Sequence, residues 1–160
     1  ERLLLDERID IAIGPFHVAN PGIDQIPLYK EQVSLYISSE HPLFPKRSLQ
    51  LNDLVGAEYV TRGYLRESQV TQQHVSFNFS ATAQSIEGIA LLILIGKYIG
   101  YLPDHYASRW VQNKQMRNVL PSYFAYEVDS KGITLKSKSR TKALSTLLKL
   151  LEEFHPVQDN

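Results

Sequence analysis

Residues 85–103 read SIEGIALLILIGKYIGYLP. The stretch opens polar and runs apolar without a break from Ile89 to Ile95. Gly96 interrupts it, a second apolar run covers Tyr98 to Leu102, and Pro103 closes it. Unbroken apolar residues leave no polar face, so the first run is expected as a helix buried nearly all round. It is shorter than the ~20 residues that span a bilayer. Gly96 is placed to end the helix, and Tyr98–Leu102 to form a buried strand. Helix, glycine and apolar strand make half of a βαβ unit, as found in the interior of a parallel sheet.

Outward from this stretch, strands and helices alternate. Glu1–Arg8 reads as the end of a helix, and Ile9–Gly14 as a β-branched strand ending at Gly14-Pro15. Ile26–Ser38 reads as one long strand or a strand pair, and Leu51–Val55 as a helical turn stopped near Gly56. Glu58–Arg62 is expected as a strand, Tyr64–His74 as a polar helix and Val75–Phe79 as a strand. After Pro103 follow a short helix over Asp104–Val111 and a brief extended segment at Val119–Leu120. A strand over Tyr123–Asp129 and a polar loop over Ser130–Ser139 come next. A closing helix, Arg140–Phe154, carries a stripe of Ala143, Leu147, Leu150, Leu151 and Phe154. Alternation of this kind defines an α/β protein.

Composition narrows the function. The 160 residues are 43% hydrophobic and 21% charged, enough apolar material for a core. The formal net charge of +0 gives no global field toward nucleic acid or acidic lipid. No cysteine is present, which removes disulfides, thiolate catalysis and cysteine-ligated zinc. No G-x-S-x-G, G-x-G-x-x-G or P-loop occurs. The five histidines are scattered without H-x-x-x-H spacing, so no metal and no cofactor are expected. The basic residues Lys131, Lys136, Lys138, Arg140 and Lys142 read as a solvated loop entering a helix, without the interleaved aromatics of a nucleic-acid surface.

Four local patterns then meet in order. LLLDERIDIAIG is a helix end followed by an alternating strand, SSEHPLF is an H-P-L loop, and LNDLVGAEYVT is an L-x-D-L turn entering a strand. The fourth is the opening stretch, with Gly96, Gly100 and Pro103 in place. Together they resemble the C-terminal effector-binding domain of LysR-type transcriptional regulators. One departure is Gly96-Lys97-Tyr98, where the family pattern has Gly-Leu-Gly. The resemblance covers nearly the whole chain. It implies two Rossmann-like lobes of the periplasmic-binding-protein type 2 fold, joined by two crossovers. Lobe one would take residues 1–55 and 121–160, and lobe two residues 56–120. Against the family pattern the chain starts late. Lobe one is therefore expected to be incomplete, with a sheet edge or apolar face covered by a partner chain or by the missing segment. The DNA-binding helix-turn-helix would lie outside the chain.

In open α/β sheets ligands sit beyond the carboxyl ends of strands. Three such places stand out: Phe16 and His17 after the first strand, Thr61 and Arg62 after the second-lobe strand, and Thr82 to Ser85 at the start of the buried helix. Thr61 matches a position where the family carries a ligand-binding hydroxyl. Arg62 is either a carboxylate clamp or a surface residue. His17 is either a loop residue or a ligand contact. Ser85 is either a helix N-cap or part of an anion site made by the helix amides.

The resemblance thus implies a small-molecule effector sensor of a bacterial regulator: cytoplasmic, dimeric or tetrameric, non-catalytic, and not membrane-bound. A transport solute-binding protein of the same fold is the alternative. A small α/β enzyme is disfavoured, because no nucleophile–base constellation is visible.

Overall fold

The computed structural model describes residues 1–16, 18–62, 75–137 and 141–154. The expected helix over 64–74 lies outside them. Among the described residues the elements are α1 (Arg2–Leu5), β1 (Ala12–Gly14), β2 (Ile23–Ser38), a 3-10 turn (Leu51–Leu54), β3 (Glu58–Arg62) and β4 (Asn78–Ala83). Then follow α2 (Ile86–Leu94), β5 (Ile99–Pro103), α3 (Asp104–Gln112), β6 (Met116–Asn118), α4 (Pro121–Phe124), β7 (Tyr126–Leu135) and α5 (Lys142–Phe154).

The chain forms two compact units, Glu1–Glu31 with Glu127–Asn160, and Gln32–Tyr126. Residues 32–55 therefore build the same unit as 56–120, because Val33–Tyr36 of β2 pair with β5. The change of unit falls within β2 and at the start of β7 rather than at 55/56 and 120/121.

The second unit is built on α2 and β5. Strands β4, β3 and β5 are mutually parallel neighbours, and β2 adds antiparallel beside β5. Helix α2 carries the chain from β4 over β3 to β5. Its core cluster holds Tyr36, Val60, Ile89, Ala90, Ile93, Leu102, Ala107 and Met116. Strand alternation sends the neighbouring residues the other way. There Tyr59 stacks on Phe77 at 5.4 Å between ring centroids and meets Phe79 edge-on at 5.0 Å. Gly96 follows the helix with φ +87°, and a Cβ there would stand 2.5 Å from Cβ of Glu40. Gly100 leaves room for Val60, whose Cγ1 would lie 2.7 Å from an added Cβ.

The apolar run does not bury all round. Leu91 and Ile95 are 63% and 65% exposed, while Ile89, Ala90 and Ile93 are buried. A helix lying on one face of a sheet packs one stripe only, so an unbroken apolar run does not specify a buried circumference.

In the first unit β1 pairs antiparallel with β7, Ala12 opposite Ile133 and Gly14 opposite Lys131, and β7 also neighbours β2. Leu4, Ile23 and Ile133 form its core cluster, with Phe16, Val18 and Leu135 packed against it.

Several expected elements move. Strand β4 begins at Asn78, not Val75, because Val75 and Phe77 bury as irregular chain. Met116–Asn118, not Val119–Leu120, forms the short strand, by pairing with Tyr36–Ser38. Leu120 instead turns left-handed (φ 44°) and Pro121 opens α4, so the following strand starts at Tyr126. That strand absorbs the expected polar loop as far as Leu135, burying Ser130 and Thr134. On α5 the buried residues are Leu144 and Leu148. Of the expected apolar stripe, Leu147, Leu150 and Phe154 are 38%, 43% and 76% exposed, while Leu151 is half-buried.

Candidate functional site

Three parallel strands put three carboxyl ends on one edge of the second unit. In the β3–β4 register Thr61 stands opposite Thr82, and Arg62 opposite Ala83. The two hydroxyl-bearing residues picked from separate stretches are thus side by side. Thr61 is half-buried and its hydroxyl donates to the Arg62 carbonyl at 3.2 Å. Thr82 lies in β4 rather than in the loop before the helix, and is exposed.

Two residues beyond β4, Ser85 caps α2. Its extended backbone (φ −122°, ψ 157°) turns the side chain onto the helix, where Oγ accepts the Gly88 N–H at 3.1 Å. The first turn of α2 also carries the carboxyl of Glu87. That carboxyl sits below its usual range, held there first by its own backbone N–H, then by Ser85, with Arg109 and Arg62 adding to the effect.

Arg109 comes from α3, and sequence reasoning passed over it. Its guanidinium lies 3.9 Å from the Trp110 ring centroid and 4.7 Å from that of Tyr106. The spacing Tyr106-x-x-Arg109-Trp110 was the available signal. Helix α3 is anchored at its start by Asp104, which accepts the Tyr36 hydroxyl at 2.9 Å. Burial first, and then this bond, raise the Tyr36 hydroxyl well above its ordinary pKa.

Phe16 belongs to the first unit, half-buried against the Leu4, Ile23 and Ile133 cluster. His17 lies outside the described residues. An open groove of about 340 Å3 lies at the opposite, amino end of β3, lined by His41, Leu43, Asp53, Glu58 and Lys97 among others. Among the described residues no group of three or more His, Asp or Glu is placed to hold a metal ion. Nor is any helix among them long and apolar enough to cross a membrane.

The family model of the LysR substrate binding domain matches residues 1–155. The chain belongs to this LysR family. It is 33% identical over 147 residues to the HTH-type transcriptional activator BauR of Pseudomonas aeruginosa, covering 91% of this chain and 48% of BauR. The chain thus spans about half the length of the curated relative it matches. Its fold is that of solved LysR regulatory domains, the type 2 periplasmic-binding-protein architecture. The Synechocystis CcmR regulatory domain in complex with 2-PG superposes with a TM-score of 0.80 at 15% identity, covering 98% of this chain and 78% of that one. The bromide-bound regulatory domain of HypT from Salmonella typhimurium gives 0.78 at 12% identity, covering 96% and 75%. Membership of the LysR family favours the effector-binding domain of a regulator over a transport solute-binding protein.

Proposed function

We propose that this LysR-family domain senses a small-molecule effector at the carboxyl edge of β3 and β4, through Thr61, Arg62, Thr82 and Ser85. The whole protein then regulates transcription in the cytoplasm as a dimer or tetramer that contacts DNA through a helix-turn-helix outside this chain. The domain itself catalyses nothing. The observation that carries the reading is the β3–β4 register: it sets Thr61 beside Thr82 and aligns Arg62 with the last residue of β4, two residues before the α2 cap. Hydroxyls, a guanidinium and a helix start on one sheet edge suit a small polar ligand. The relatives support the same class of role, since the CcmR domain was solved with 2-PG and BauR is an activator.

Thermal shifts against a metabolite panel test it. A ligand that stabilises the wild-type protein should lose most of its effect in Thr61→Val and in Arg62→Ala. Equal stabilisation of wild type and both variants would overturn the site.

A further inference from the structure

Val60 and Leu102 turn toward α2 in the core of the second unit. Strand alternation therefore sends Tyr59, Thr61 and Tyr101 to the opposite face of the sheet. The Tyr59 and Tyr101 rings meet edge-on there, 6.3 Å between centroids. Tyr59, Phe77, Phe79 and Phe124 continue this aromatic layer beneath them. The parallel register of Val60 with Gly100 carries Tyr101 alongside Thr61, and Thr61 stands opposite Thr82. A row of Thr82, Thr61 and Tyr101 thus crosses β4, β3 and β5 near their carboxyl ends. Tyr126, the last residue of the unit, joins the row, its ring meeting Tyr101 edge-on at 5.3 Å. Tyr101 is buried, but Tyr126 is 39% exposed. The aromatic layer therefore reaches solvent at Tyr126, on the face that carries the two threonines.

We propose that Tyr126 is a specificity-determining residue of this edge, and that the effector lays a flat aromatic ring against it while a polar substituent meets Thr61 and Thr82. The inference rests on the reading of this edge as the effector site, and names the class of ligand the site takes. An aromatic ring against Tyr126 gains offset or edge-to-face contact, which a saturated ring of similar size does not. The buried Tyr101 ring packs against Tyr126 and holds it in place, so little freedom is lost when a ligand covers it. The threonine hydroxyls then fix the orientation of the ring through its substituent.

Phenol and cyclohexanol are the probes, an aromatic and a saturated ring with the same hydroxyl. Each is titrated into the protein and followed by the methyl chemical shifts of Thr61 and Thr82. Both methyls should move saturably, with phenol binding about two- to tenfold tighter than cyclohexanol. Tyr126→Leu should bring the two affinities together, and Tyr126→Phe, which keeps the ring, should preserve the difference. Should Tyr126→Leu not fold, Tyr126→Gln takes its place. Equal affinities in wild type would overturn the proposal. So would a preference that survives in Tyr126→Leu, or methyls that respond to neither probe. Equal affinities with both methyls shifting would remove the aromatic preference and leave the site reading intact. A panel ligand that stabilises Thr61→Val and Arg62→Ala as much as wild type would remove the site reading itself.

Discussion

At Gly96 two constraints meet in one residue. Its φ of +87° is left-handed, and the missing Cβ would lie 2.5 Å from the Glu40 Cβ and 2.8 Å from the Glu40 backbone carbon. Gly96→Ala should therefore cost well over the ~1–2 kcal/mol of a left-handed residue alone, because backbone has to move. Gly56→Ala isolates the first term, since its φ is +72° and nothing lies within 4 Å. Urea unfolding of both variants reads the difference, and equal losses would show that the Glu40 contact does not matter. His41 carries the pH prediction. Its Nδ1 accepts the Leu43 N–H at 3.1 Å, and burial first, then Arg117, push its pKa below 6.5. The unfolded chain takes up this proton at a higher pH than the folded one, so stability should fall as pH drops through about 6.5 and below. His41→Gln should flatten that part of the stability–pH curve, measured by urea titration between pH 5 and 8. An unchanged slope would remove His41 as its source.

Among the elements, α5 and α2 teach the same lesson about apolar stripes. The spacing of Ala143, Leu147, Leu150, Leu151 and Phe154 is helical, and the helix forms over Lys142–Phe154. Its packed residues are nevertheless Leu144 and Leu148, 9% and 4% exposed. Leu148→Ala should cost about 2–5 kcal/mol, as buried leucines do, and Leu147→Gln less than about 0.5–1 kcal/mol. Reversed magnitudes would put the wrong face inward. At the other helix, Ser85→Ala removes the acceptor of the Gly88 N–H and should cost about 1 kcal/mol. A loss near zero in thermal or chemical unfolding would show that the cap is not holding α2. The elements themselves were legible where local chemistry is strong. β3 falls on the residues expected, and α2 and β5 within a residue or two. The reading failed where pairing overrides propensity. Ser130-x-Gly132 looks like loop, but β1 pairs along it through Gly132 and Lys131.

For the whole molecule, ligand linkage sets the expectation. An effector that binds only the folded protein should add about 2.7 kcal/mol at 100 times its Kd. Equilibrium unfolding with increasing ligand should show stability rising with the logarithm of concentration, and a flat response would mean that the compound binds folded and unfolded chain alike. At this scale the sequence determined a good deal by itself. The α/β alternation, the helix–glycine–strand unit, Thr61 and Arg62 at a strand end and the Ser85 cap all follow from propensity, steric need at glycine and local hydrogen bonding, which act within a few residues. Only the tertiary structure decided that Thr61 and Thr82 share a register, that residues 32–55 join the second unit, and which faces of α2 and α5 are covered. It also decided that Arg109 of α3 lies against Tyr106 and Trp110. Those outcomes depend on strand pairing and on which surface each helix meets, and both are set by residues far apart in the chain.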